Sequence, residues 1–424
     1  MNQPLSRYVD YMYSYPHKTA YRPFPAPVSL LTYLEQLQGR KASLYFHIPF
    51  CSHKCGYCNL FSLQTNRTEY IATYLDTLHR QAQQLSPLTA GLTFDSFAIG
   101  GGTPLLLTVP QLEQLMATAA LFGVHPSHAF TSVETSPEYA DRPRLNVLKK
   151  AGVSRVSIGI QSFQDEELKA IKRRPRQNTI YQALDDIRQM DFPYFNIDLI
   201  YGIKGQTVES FLYSLEEALR FQPNELFIYP LYVRQGTGIT EREPDDVCFR
   251  MYRAACKLLQ AKGFLQTSMR RFIHHPSTDA EVSCGDEVML SCGSGGRSYL
   301  GDLHYATRYT VCQQCIAREI DEYMATTDFT VARNGFILSA KEQQQRFIIK
   351  NLMYYMGIDK AEYTRRFGEP LDRTPLFRQL AEQYWIEETP ERIRLTPEGL
   401  GYSDYIGQLF ITPEIRQLME TYSY

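Results

Sequence analysis

Leu44-Tyr45-Phe46-His47-Ile48-Pro49-Phe50-Cys51-Ser52-His53-Lys54-Cys55-Gly56-Tyr57-Cys58 is the stretch on which the reading of the chain turns. Leu44 to Ile48 is apolar and reads as a strand, and Pro49 ends it. Cys51, Cys55 and Cys58 therefore lie on a loop leaving a strand end. Three thiolates this close suit a soft metal centre. A four-iron cluster needs four ligands, so three cysteines leave one iron open to something else. The spacing does not fit a zinc knuckle, which prefers two residues between paired cysteines and a second pair further on.

Outward from that loop, a strand–helix rhythm repeats from residue 41 to about 230. Strands are expected at 43–48, 94–99, 130–135, 154–160, 195–200 and 225–229. Helices are expected over Thr68–Gln84, Pro110–Phe122, Glu166–Ile171, Thr179–Met190 and Val208–Leu219, with a further one over Asp245–Lys262. Apolar strands separated by helices argue a parallel sheet. Six such units fit an open (β/α)6 partial barrel, in which chemistry gathers at the C-terminal strand ends.

Distinctive residues fall at those ends. Gly100-Gly101-Gly102-Thr103-Pro104 follows the second strand and lets backbone approach a ligand closely, with no Gly-Lys-Ser/Thr to make it a phosphate loop. Glu134 ends the third strand and Gln161 the fourth. Asp198 lies inside the apolar fifth, where a carboxylate needs bonding partners. Arg173 can clamp a carboxylate. Tyr45 and His47 alternate onto one face of the first strand.

The 424 residues carry a formal net charge of −2, 44% apolar and 21% charged residues, an ordinary globular profile that argues against bulk nucleic-acid binding. Neither an apolar run of membrane-spanning length nor a signal-like N-terminus is present, so a cytoplasmic protein is expected, and nine cysteines are not read as a secreted disulfide framework. Four regions are expected: an aromatic N-terminal arm (1–40), broken by Pro16 and the Pro23, Pro25, Pro27 run; the partial barrel (41–240); a barrel extension with substrate-site segments (241–335); and a small α+β domain (336–424). In the last, helices over Glu342–Tyr355 and Gln379–Tyr384 precede a two-stranded wing, 385–388 and 392–396. Cys312-Gln313-Gln314-Cys315 has redox or metal-knuckle spacing and reads as a surface dithiol or as incidental cysteines. An auxiliary metal centre there would need more ligands, such as Cys284 and Cys292.

Cys-x3-Cys-x2-Cys after a strand, joined to Gly-Gly-Gly-Thr-Pro, resembles the radical S-adenosylmethionine (radical SAM) superfamily. Tyr45-Phe46-His47-Ile48-Pro49-Phe50-Cys51 resembles its HemN branch of coproporphyrinogen oxidases, heme chaperones and C-methyltransferases, and 336–424 resembles that branch's winged-helix-like C-terminal domain. The resemblance implies a [4Fe–4S] cluster on Cys51, Cys55 and Cys58. It implies S-adenosyl-L-methionine, two molecules, with Tyr45, Tyr57, Gly101, Gly102, Thr103, Glu134, Gln161, Arg173 and Asp198 in the SAM site. A reductant such as flavodoxin or ferredoxin would supply the electron.

Within the branch, the coproporphyrinogen oxidases have a further cysteine two residues after the motif, where this chain has Leu60. They have a Met-Asp-His-Phe-like segment where it has Met269-Arg270-Arg271-Phe272. The arm and Cys292 to Tyr305 most resemble anaerobic heme-utilisation enzymes of the ChuW/HutW type. The expectation is therefore a radical SAM C-methyltransferase acting on heme or a related tetrapyrrole or conjugated ring, with Tyr45, Arg270, Arg271, Cys284, Arg297 and His304 as candidate catalytic or substrate residues. A coproporphyrinogen oxidase-like decarboxylase and a HemW-like heme chaperone are the alternatives.

Overall fold

The computed structural model describes residues 6–9, 11, 14–124, 129–174, 176–274, 288–371 and 375–423. Six strands and six helices alternate: β1 (Lys41–Ile48), α1 (Thr68–Leu85), β2 (Thr93–Gly101), α2 (Val109–Ala120), β3 (Phe130–Thr135), α3 (Arg142–Lys150), β4 (Arg155–Gln161), α4 (Gln177–Met190), β5 (Tyr194–Tyr201), α5 (Val208–Leu219), β6 (Glu225–Pro230) and α6 (Asp245–Ala261). The six strands lie side by side in chain order and pair parallel throughout, the partial barrel expected from the sequence. Residues on both faces are buried, as helix-covered parallel strands require: in β1, Leu44, Phe46 and Ile48 are inaccessible on one face, and Ser43 and His47 are buried on the other. Phe46 packs edge-on against Phe97, ring centres 5.0 Å apart.

Helix α3 was not expected. Its signal is Asp141, whose carboxylate accepts from the Arg144 N–H at 3.1 Å, with Pro143 in the first turn. Helix α2 starts on a capping box of Thr108 and Gln111.

Both edges of the barrel are extended. Val288–Cys292 adds parallel to β1, followed antiparallel by Arg297–Leu300, Leu303–Ala306, Val331–Ile337 and Arg22–Ser29; Arg271–Ile273 and Leu265–Gln266 add antiparallel beside β6. Among the described residues these make one thirteen-stranded sheet. The prolines of the arm do not break it, contrary to expectation. Arg22–Ser29 is the outermost strand, where a missing N–H costs no ladder bond, and its register shifts between Pro23 and Val28.

A second hydrophobic core, including Phe347, Ile349, Leu352, Phe377 and Ile406, belongs to a separate C-terminal α+β unit and takes in Tyr15 and Ala20 of the arm. Its wing has a third strand, Ile358–Asp359, with Arg392–Leu395 in the middle. The arm thus packs on both cores: Tyr8 meets Tyr201 at the end of β5, ring centres 6.0 Å apart, while Tyr15 donates its phenol to Glu342.

Candidate functional site at the C-terminal strand ends

The parallel register decides what meets what. His47 and Ile48 lie beside Gly100 and Gly101, Glu134 beside Ser157, and Gly159 beside Asp198. The side chains expected to hold SAM thus rise from adjacent strands at the end where the cysteine loop leaves β1.

The loop itself is anchored to the glycine run. Gly102 donates to the Ile48 carbonyl and Thr103 to the Phe50 carbonyl, both at 2.8 Å, and the Thr103 hydroxyl lies 3.6 Å from the Cys51 sulfur. Gly102 has no room for a side chain: a β-carbon would overlap the Phe50 carbonyl oxygen and stand 2.8 Å from its carbon. Gly101 has φ +115°, and a β-carbon there would stand 2.8 Å from the His47 ring. His47 is buried between the Tyr45 hydroxyl, 3.1 Å from Nδ1, and the Phe61 carbonyl, 2.9 Å from Nε2; burial depresses its pKa to about 4 and keeps it neutral. On its far side packs Gly295, in the loop that follows Val288–Cys292.

The three thiols are free. Cys51 is buried and pushed up to about 11 by desolvation, and Cys55 is raised by the same cause. Deprotonation would need a compensating positive charge, which a bound metal centre supplies. Among the described residues no three cysteine, histidine or acidic side chains are gathered tightly enough to chelate one ion. A cubane is held at three separate irons, so its thiolates stand further apart than the ligands of a single ion. Three thiols on one loop are a soft donor set of the kind that holds an iron–sulfur cluster.

Arg173 ties the loop to β4. Its guanidinium donates to the Gly159 carbonyl at 2.5 Å and to the Tyr57 hydroxyl at 3.3 Å, and lies 3.8 Å from the Cys55 sulfur. Arg174, the other arginine of that run, is exposed. Gln161 has φ +75°, at a shift in the β4–β5 register, which turns its amide back over Gly159. A non-glycine residue held there is strained backbone of the kind that collects at functional sites.

Two carboxylates face the barrel interior. Glu134 accepts from the Gly101 N–H at 3.3 Å, and crowding by the barrel wall, then the charge of Asp198, pushes it up to about 7. Asp198 accepts from the Asn196 amide at 2.7 Å and is pushed up to about 6, chiefly by burial. Two carboxyls held partly neutral are a site prepared for a cationic or hydroxyl-bearing ligand.

The substrate-side expectations fare differently. Arg270 is buried; its Nη2 donates to both carboxylate oxygens of Asp404 of the C-terminal unit at 2.5 and 2.7 Å and to the Tyr232 hydroxyl, and its guanidinium lies over the Tyr11 ring at 3.9 Å. Arg271 pairs with buried Glu225, which also holds Arg155 at 2.5 Å; the two guanidinium groups keep the Glu225 carboxyl below its usual range despite burial. Both arginines are consumed by internal ion pairs. Arg297 is half-buried and donates to the arm's Ser14 hydroxyl at 2.8 Å. His304 pairs with Tyr299, itself opposite Met289, which puts it at the sheet end away from the cysteines. It is inaccessible, with both ring nitrogens lacking a hydrogen bond among the described residues, and burial pushes its pKa down. It is a core imidazole and not a proton shuttle at the strand ends. Cys284 lies outside the described residues. Cys292 is buried in the sheet and pushed up by desolvation, so it adds no ligand to Cys312 and Cys315.

Sequence reasoning missed Lys54, which donates from within the cysteine loop to the Val311 and Ser62 carbonyls at 3.1 and 3.4 Å. It also missed Tyr11, whose ring meets Tyr229 edge-on at 6.2 Å near the C-terminal end of β6. The aromatic density of the arm was the only signal for the latter.

A parallel partial barrel with a cysteine triad at its mouth defines a class, and comparisons with known proteins name it. The model of the radical SAM superfamily matches residues 45–218, and that of the HemN C-terminal domain matches 338–401. An oxygen-independent coproporphyrinogen III oxidase of Salmonella typhimurium is 31% identical over 394 residues, 85% of this chain and 83% of that protein. The heme chaperone HemW of Bacillus subtilis is 27% identical over 386 residues, 87% of this chain and all of that one. The solved structure of the Escherichia coli coproporphyrinogen III oxidase, HemN, superposes with a TM-score of 0.82 at 23% identity, covering 94% of this chain and 96% of the other, a likeness of fold. The chain belongs to the radical SAM superfamily, in its HemN/HemW branch.

It is a radical SAM enzyme, a class that uses an iron–sulfur cluster and SAM. The methyl-transfer expectation is overturned. The relatives that match over most of their length carry oxidase and chaperone names, and they lend the ChuW/HutW likeness no support. No described helix is long and apolar enough to cross a membrane.

Proposed function

We propose that the protein is a coproporphyrinogen oxidase-like decarboxylase acting on a propionate-bearing tetrapyrrole. In this reading Cys51, Cys55 and Cys58 hold a [4Fe–4S] cluster, with SAM at its open iron. Gly101, Gly102 and Thr103 present backbone to the methionine end, while Tyr57 and Arg173 position the cysteine loop against β4. Glu134, Gln161 and Asp198 take the ammonium and hydroxyl groups of SAM, and Tyr45 orients His47 below them. When bound, the cluster and SAM supply a 5′-deoxyadenosyl radical on one-electron reduction by a flavodoxin- or ferredoxin-type donor. The chain's own part is to position the two, hold Glu134 and Asp198 partly neutral until a cation arrives, and cover the mouth with the arm's Tyr8 and Tyr11 to exclude water. The second SAM expected from the sequence belongs to this proposal.

The observation that carries it is the 31% identity to oxygen-independent coproporphyrinogen III oxidase over 85% of the chain. The test is anaerobic: reduced, cluster-loaded protein with SAM and coproporphyrinogen III. Carbon dioxide, 5′-deoxyadenosine and a tetrapyrrole shortened by carboxyl groups are expected together; deoxyadenosine with unchanged tetrapyrrole would overturn the substrate. A second reading, a HemW-like heme chaperone, is favoured by one specific observation: Arg270 and Arg271 are locked in internal ion pairs where the oxidases carry Asp and His. Stoichiometric heme binding with no SAM consumed would select it.

A further inference from the structure

We propose that Cys312 and Cys315 form a redox-active dithiol that exchanges with small disulfides, and that its state is transmitted to the loop carrying Cys51, Cys55 and Cys58. The pair has the two-residue spacing of exchange dithiols and opens a thirteen-residue helix, Gln313–Ala325, with Cys312 as the N-terminal cap. Cys312 is exposed and Cys315 half-buried behind it, so an incoming disulfide reaches the first sulfur before the second. Cys312 sits at the helix start, three residues before Cys315, and Lys54 brings a positive charge up to the same turn. These contacts favour a thiolate at Cys312 and a thiol at Cys315, the division of labour between an attacking and a resolving cysteine.

The helix start is stitched to the cysteine loop. The Gln313 side chain accepts from the Gln64 N–H at 2.7 Å and donates to the Ser62 carbonyl at 2.9 Å. Gln64 pairs in turn with Cys51 in a short two-stranded ladder. From the other side, Lys54 reaches the Val311 carbonyl, one residue before Cys312. A bond drawn between Cys312 and Cys315 tightens the turn that contains Gln313, so the strain falls on the contacts that hold Ser62 and Gln64.

The chemistry balances as two exchanges. The Cys312 thiolate attacks one sulfur of the incoming disulfide, breaking its S–S bond, forming a mixed disulfide and expelling one thiolate. Cys315 then loses its proton, attacks the Cys312 sulfur and expels the second thiolate. Two protein thiols are oxidised to one disulfide, and the small disulfide is reduced to two thiols.

The experiment uses the full-length, cluster-loaded protein under argon with glutathione disulfide as the probe, followed by acid quench, alkylation and peptide mass mapping. Expected are a Cys312–Cys315 disulfide in the wild type, a glutathione adduct trapped on Cys312 in Cys315→Ser, and no adduct on Cys315 in Cys312→Ser. Both thiols staying free across a glutathione redox series, or adducts spread evenly over surface cysteines, would overturn the dithiol. So would tight zinc capture by the pair with loss of exchange. The transmission rests on reading the loop as the cluster carrier and is tested separately, through the rate at which a chelator strips iron. A severalfold difference between the oxidised and reduced wild type, absent in Cys312→Ser/Cys315→Ser, is expected, and equal rates would overturn it. The trapping result stands or falls without the cluster, so the two failures are distinguishable.

Discussion

Replacing Arg270 by Met discriminates most directly between a substrate-binding arginine and a structural one. The guanidinium is 3% exposed and Asp404 1%, so the variant leaves a carboxylate buried without its partner. Breaking a buried pair from one side costs about 3–5 kcal/mol, roughly two to three and a half decades in the folding equilibrium. Tyr232 also loses a partner, but its hydroxyl still donates to the Asp404 carboxylate, a neutral contact that does not replace the lost charge. The double variant Arg270→Met/Asp404→Leu removes both charges and should recover most of the loss, since well-packed apolar residues replace such pairs at little cost. Urea unfolding of the cluster-free protein measures this. The C-terminal unit, followed by Trp385 fluorescence, should unfold earlier in the single variant and near the wild-type midpoint in the double one. An Arg270→Met protein with wild-type unfolding but weakened tetrapyrrole affinity would refute the reasoning and return Arg270 to the substrate.

Three further outcomes test the site. Gly102→Ala drives a β-carbon into the Phe50 backbone, which cannot swing aside like a side-chain end; it should cost about 1–3 kcal/mol by overpacking and lower iron retention after reconstitution, and normal iron content with unchanged urea midpoint would contradict the geometry. Alanine at any of Cys51, Cys55 or Cys58 should abolish the four-iron absorption and SAM cleavage, and a variant that kept both would remove that residue from the ligand set. Glu134 has a folded-state pKa of about 7, above its unfolded value, so the folded protein binds the extra proton. Its contribution is present below the unfolded pKa near 4.5 and is lost as pH rises through 7. Thermal melts of Glu134→Gln, set against the wild type, should show the variant gaining relative stability across that window, and a pH-independent difference would show that the carboxyl is not perturbed.

The barrel was legible because its strands are continuous apolar runs bounded by loops, a pattern that follows from burial on both faces. The cysteine loop and Gly100–Thr103 were legible because close backbone approach needs glycine, and glycine shows in a sequence. What a sequence does not show is the partner. Arg270 and Asp404 are 134 positions apart, and Arg271 meets Glu225 across an antiparallel pairing that adds beside β6. A guanidinium looks the same in sequence whether it faces substrate or a buried carboxylate. His304 was misplaced for a related reason. Its strand is short and runs back from the glycine loop, so only the register with Tyr299 tells which end of the sheet it occupies.

Leu60 bears on the choice between the two remaining functions less than its position suggests. It is 43% exposed, at the outer side of the cysteine loop, while the neighbouring Asn59 carbonyl accepts from the Tyr309 hydroxyl at 2.8 Å. A cysteine is not required at that point to complete the set of three, and an apolar residue there leaves Cys51, Cys55 and Cys58 on their anchors. Arg270 weighs more. It joins the C-terminal unit through Asp404, the segment just after β6 through Tyr232, and the arm through Tyr11. In this chain that position ties the C-terminal unit to the arm and to the segment after β6. On the proposed function, a tetrapyrrole either leaves this fastening intact and is recognised by other groups, or displaces Tyr11 from Arg270 as it binds, and in the second case the arm takes part in the specificity of the site.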